Sequence, residues 1–351
     1  MFRPALLLAS ALVASPARVP EAELRFVPSE GDTLAVRLEE ETSAETVSEA
    51  WCPVFEGERV ESEAGEGEGG AAWSYDLAFV LVDEFESVED GRVQRLSRTF
   101  EEIGGSTSAS FETDEGVEEL DGALASPLDG RTVVFDWDDG AEEYDATFDE
   151  EGDDSDIDAV LLGGMSIDAF CDWFLPEDGE PVEEGDEWSP GPDAWWDFTD
   201  IGGAFWIENE EADSPSEEKA EENESRDDQL RENSSGDVTC TFEGMREVDG
   251  VEVAVISIVV EIESTSETES SAEFDGVEVS AEEDTTMTIE SEGECLWDVE
   301  SGRLVSLRFT TETTIDSTSV ESAESDEGTY GMEYSSVVRM ESNVEVTVES
   351  R

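Results

Sequence analysis

The sequence predicts a mainly β protein: long antiparallel strands in meanders, arranged as a curved sheet, a sandwich or a half-barrel, with one or two short helices. From Tyr330 onward, Met332, Tyr334, Val338, Met340, Val344, Val346 and Val348 fall on even positions, while Glu333, Arg339, Glu341, Glu345 and Glu349 fall on odd ones. A period of two is what a strand with one dry and one wet face imposes. Asp249-Gly250 and Glu300-Ser301-Gly302 supply tight-turn chemistry between further alternating runs, so neighbouring strands return as hairpins. The best helical spacing is confined to one short segment, too small to form a layer of its own.

Taken in order, residues 1–17 place Arg3 before an apolar run at 5–14 and small residues at Ser15 and Ala17, the pattern of a secretory signal peptide. No later stretch approaches the roughly 20 apolar residues of a membrane-spanning helix. Residues 18–207 read as an N-terminal β-rich domain. In it Leu34, Val36 and Leu38 alternate, as do Tyr75, Leu77, Phe79 and Leu81, and Gly and Glu dominate a loop between Phe55 and Ala72. Residues 132–137 and 144–148 make a hairpin around Asp138-Asp139-Gly140. Ile167, Phe170, Cys171 and Phe174 have helical spacing, with Ser166 to cap and Pro176 to stop, so a plug or lid helix is expected at 166–174. Residues 208–236 are almost devoid of apolar side chains and read as an acidic disordered linker. A C-terminal antiparallel β domain then fills 237–351, beginning with paired runs at 238–247 and 251–263.

The charge balance is 97 Asp and Glu against 17 Lys and Arg, a formal net charge of -80, with Lys219 the sole lysine. Such a field repels nucleic acid and anionic headgroups and draws cations as counter-ions. Self-repulsion of this size needs concentrated salt to screen it, so a halophilic setting is expected.

Histidine is absent, which removes Ser-His-Asp and Cys-His catalysis and His-ligated zinc. Carboxylates are so abundant that no catalytic pair can be singled out. Asp154, Asp156 and Asp158 hold the first ligand offsets of a calcium loop, but Ala159 and Met165 stand where Gly and Glu are required, so the motif fails; no cofactor is expected, with a looser Ca2+ site in the acidic turns as the alternative. Trp188, Trp195, Trp196 and Trp206 concentrate near one another in sequence. They fit a carbohydrate-binding platform, or, by the ordinary preference of tryptophan for burial, a loop packed across the sheet. Cys52, Cys171, Cys240 and Cys295 are widely spaced, and an oxidising compartment makes disulfides an expectation. If each half closes its own bridge, the pairs are Cys52 with Cys171 and Cys240 with Cys295.

Residues 128–137 (LDGRTVVFDW), 142–148 (EEYDATF) and 174–188 (FLPEDGEPVEEGDEW) resemble exported, acidic, β-rich proteins of planctomycete-type bacteria, a group with no assigned activity. The resemblance implies compartment and β architecture and transfers no catalytic residue. The expected role is an exported, non-enzymatic binding or carrier module, or an envelope-associated structural one. An apolar small molecule or a polysaccharide would be its partner. The alternative is a carboxylate-dependent hydrolase, or a carbohydrate-binding protein, acting on extracellular polysaccharide.

Overall fold

The computed structural model describes residues 21–56, 58–61, 64–68, 70–89, 92–113, 116–141, 143–149, 157, 173–176, 181–199, 206–208, 229–274, 277–325 and 328–351. The expected signal peptide, Asp154, Asp156 and Asp158, Cys171, residues 166–172 of the expected helix and residues 209–228 of the expected linker lie outside these.

The strands are β1 (Glu21–Glu23), β2 (Thr33–Phe55), β3 (Glu58–Arg59), β4 (Gly65–Glu68), β5 (Ala71–Glu89), β6 (Arg92–Thr113), β7 (Gly116–Ala125), β8 (Thr132–Asp138), β9 (Glu143–Phe148), β10 (Pro181–Glu183), β11 (Glu187–Trp188), β12 (Trp206–Glu208), β13 (Ser235–Val248), β14 (Val251–Phe274), β15 (Val277–Asp298), β16 (Arg303–Ser325) and β17 (Gly328–Ser350), with helix α1 at Asp193–Thr199. β1 and β10 pair by themselves; the remaining strands form one antiparallel, curved, unclosed sheet in the order β11-β13-β14-β15-β16-β17-β2-β5-β6-β7-β12, with β3 and β4 also pairing β2 and the β8–β9 hairpin pairing β6. The long strands carry 22 to 24 residues, about 75 Å at the usual rise.

Each half of the chain is a meander, and β17 joins them by pairing β2 from Tyr330↔Phe55 to Ser350↔Leu34. The two expected domains therefore share one sheet. Residues 229–236, assigned by charge to the linker, are instead folded: 229–232 are helical and β13 begins at Ser235. Leu230 supplies the apolar anchor and is buried, while Ser234 Oγ lies 2.7 Å from Ser264 Oγ of β14.

The Asp249-Gly250 turn has positive φ at both residues, 51° and 86°, the left-handed geometry that suits a two-residue hairpin. At the next turn Asp298 accepts from the amides of Glu300 and Ser301 and from the Ser301 hydroxyl, so one side chain organises the reversal.

The core gathers on one face, here the inner face, and toward one end of the strands. Val36, Leu38, Phe79, Leu81, Ile256, Ile258, Trp297 and Leu307 are all buried there. α1 follows Pro192 and buries Ala194, Trp195 and Phe198, one stripe at i, i+1 and i+4. Its Phe198 and Trp195 rings lie 4.9 and 5.2 Å from Phe309 of β16. Trp173 and Phe174, the described end of the expected 166–174 helix, form a turn rather than a helix and meet Phe198 edge to face. The plug on the sheet is thus built by this turn and α1.

Candidate functional site

Beyond the packed base the long strands continue, and the two faces separate chemically. On the outer face, register brings Asp237, Glu261, Glu290, Glu312 and Glu341 into one row across β13, β14, β15, β16 and β17. Adjacent strands are about 4.8 Å apart, and like charges directly opposite one another are destabilising. Nearby, Glu39, Glu41, Glu292, Glu294 and Glu345 border a depression of about 530 Å3 around Arg308, whose guanidinium donates to Glu345 at 2.6 Å. Among the described residues no group of three or more His, Cys, Asp or Glu is arranged to hold a metal ion.

On the inner face the base ends in a row of hydroxyls. Ser291, Thr311, Ser342, Thr42 and Tyr75 stand opposite one another on successive strands. Ser291 Oγ is 2.8 Å from Thr311 Oγ1, and Thr42 Oγ1 is 2.9 Å from Ser342 Oγ. Glu40 sits at the edge of this row, half-buried, between Leu77 and Val344 on the flanking strands. Its Oε1 accepts from Tyr75 Oη at 2.7 Å and Thr42 Oγ1 at 2.9 Å, with Ser342 Oγ at 3.2 Å. Burial first, and then the negative charge of Glu40, push the Tyr75 phenol well above its ordinary value.

Past the hydroxyl row comes an apolar band, with Met287, Ile315, Val338 and Met340 half-buried. At the far end Trp51 stands opposite Tyr334 and Phe55 opposite Tyr330, the latter rings 4.9 Å apart. These four aromatics are 41% to 47% exposed. Gly65 of β4 makes the position of Trp51 feasible, since a Cβ there would fall 2.1 Å from the indole.

Of the two readings offered for the tryptophans, packing across the sheet is the one that describes Trp195. Trp195 is 4% exposed and belongs to the core, so it offers no sugar platform. Trp188 and Trp196 are half-buried, and their indole N–H groups donate to the Phe174 carbonyl and to Ser234 Oγ. Trp206 lies in β12, at the opposite end of the strand order from Trp188 in β11. Cys52, Cys240 and Cys295 are buried free thiols. The expected Cys240–Cys295 bridge is not formed because β14 lies between their strands, with Cys240 opposite Ile258 and Cys295 opposite Ile256. That puts them about 9.5 Å apart from strand spacing alone, beyond the roughly 7 Å a disulfide spans.

Glu40 with its hydroxyls, and the Trp51–Tyr334 and Phe55–Tyr330 pairs, were not singled out by sequence reasoning. The even-position run of β17 did place Tyr330 and Tyr334 on an apolar face; nothing local revealed that β2 would complete it. No family model and no curated protein matches the chain. No helix among the described residues is long and apolar enough to cross a membrane.

Proposed function

We propose that the protein is an exported, non-enzymatic carrier or binding module that holds an apolar molecule on the inner face of its sheet and works in a saline environment. The observation that carries this reading is the exposed aromatic set Trp51, Phe55, Tyr330 and Tyr334, which shares the inner face with the half-buried Met340 and Ile315 and is separated from the packed base by the hydroxyl row. Large apolar side chains left in contact with water on adjacent strands mark a binding surface more often than chance. A face with a packed floor and open upper walls has the shape that small-molecule sites favour.

Export is supported by the leader-like residues 1–17 and by the resemblance to exported planctomycete-type proteins. The saline setting is supported by the net charge of -80 and by carboxylate rows that only screening makes tolerable. The polysaccharide readings draw on tryptophan content, and their support weakens with Trp195 in the core and the Trp188 and Trp196 N–H groups already engaged.

Native and denaturing mass spectrometry of protein purified in molar salt tests the carrier reading. A constant extra mass, lost on denaturation, is the expected result. A polypeptide that carries no such mass and also fails to bind the uncharged probe N-phenyl-1-naphthylamine would remove the carrier reading and leave the envelope-associated structural role.

A further inference from the structure

We infer that the inner face sorts its ligands by charge, accepting neutral or cationic long-chain amphiphiles and turning away carboxylates, sulfates and phosphates, with Glu40 reading the head group; this rests on the carrier reading above. On β14 to β17, β2 and β5, four carboxylates occupy inner-face register positions beyond the base: Glu40 opposite Val344, Glu49 opposite Ser336, Glu283 opposite Ser319 and Glu321 opposite Met332. Among the described residues, no inner-face position of β14 to β17, β2 or β5 beyond the base holds Arg or Lys. Arg308 and Arg339 occupy the outer-face register, opposite Glu345 and Glu45. A ligand lying here therefore meets apolar side chains, neutral hydroxyls and negative charge, with no cation to balance an anionic head.

Glu40 is placed to select. The described hydrogen bonds to its carboxylate all fall on Oε1, which leaves Oε2 as an acceptor for an ammonium or hydroxyl head. A partly buried carboxylate is screened by salt far less than an exposed one, so the preference persists where the protein is stable. From Ser342 the inner face runs past Met340 and Val338 to Tyr334, about 25 Å at the usual strand rise. Half the hydrocarbon thickness of a bilayer is about 15 Å, so a single long chain fits along this track.

The test displaces N-phenyl-1-naphthylamine from the full chain in molar salt with dodecylamine, dodecanol and dodecanoate, each below its micelle concentration. Dodecylamine and dodecanol are expected to compete about tenfold more strongly than dodecanoate. Glu40→Gln, which keeps size and an acceptor oxygen, should bring dodecanoate within about threefold of dodecanol and weaken dodecylamine about tenfold, a change of roughly 1.4 kcal/mol. Glu283→Gln should shift the preference in the same direction by less, and reads it whether or not Glu40→Gln folds. Glu312→Gln removes the same single charge from the outer face and should change nothing. Equal competition by dodecanoate in the parent protein, or a preference untouched by both inner-face variants, would overturn the inference while leaving the carrier standing. Failure of the probe and of all three ligands to bind would overturn the carrier reading itself.

Discussion

Asp83 and Arg98 face each other across β5 and β6 inside the core, both nearly inaccessible, joined by two bonds of 2.7 and 2.8 Å. Removing one member of such a pair strands a buried charge, so Arg98→Met should cost about 3–5 kcal/mol in urea unfolding. Adding Asp83→Leu should recover most of that loss, because the pair as a whole is worth little against well-packed apolar side chains. The buried thiols set a second expectation. Burial pushes Cys240 up to about 12, and burial, then Cys240 and Glu294, push Cys295 higher still. Unfolded thiols ionise near about 8.5, so below that pH neither state releases a proton and these groups add no pH dependence. Between about 8.5 and the folded values the unfolded chain holds fewer protons, and stability falls as pH rises, by up to about 1.4 kcal/mol per unit for each thiol. Urea midpoints measured from pH 8 to higher pH should show that decline, and a Cys240→Val variant should show a shallower one. Peptide mapping after iodoacetamide treatment at pH 8 should find Cys52, Cys240 and Cys295 unmodified in the native protein. Four cysteines and an export-like leader suggested bridges, but spacing along the chain carries no information about which strand will come between two residues.

Between β15 and β16, Gly293 leaves room for Phe309: a Cβ at Gly293 would lie 2.3 Å from the phenyl ring. Since Phe309 is the surface on which Trp195 and Phe198 of α1 rest, Gly293→Ala should force that ring aside. The expected cost is about 1–3 kcal/mol, together with a shift in tryptophan emission as α1 loosens. On the opposite face, the carboxylate row from Asp237 to Glu341 predicts the reverse sign. Glu290→Gln relieves repulsion from both neighbours and should stabilise by about 0.2–1 kcal/mol at low salt, a gain that disappears in molar salt; unfolding at the two salt levels checks it. Period two made β17 and the 249–250 and 300–302 hairpins legible from residues alone. α1 was missed as a helix because its stripe of Ala194, Trp195 and Phe198 is only one turn deep, whereas the run at 166–174 offered a longer apolar period. Residues 229–236 were assigned to the linker on their charge, which outweighed the single anchor, Leu230.

At the scale of the whole molecule, the mainly β class followed from alternation, while the union of the halves did not, because a strand's alternation specifies its faces and not its neighbour. The same net charge of -80 that keeps the molecule dispersed opposes its compaction. Thermal unfolding should therefore move upward steeply as NaCl rises toward molar concentrations, where the screening length shrinks to about 3 Å; a flat response would remove the salt-adapted reading. The pairing of β17 with β2 also governs how the chain can acquire its form. Thr42 and Ser342, hydrogen-bonded neighbours in the finished sheet, are separated by 300 positions, and closing so large a loop is slow. A chain emerging N-terminus first must keep one full margin of β2 unmatched until the 23 residues of β17 arrive. The sheet therefore stays open along that margin through the making of every strand from β3 to β16.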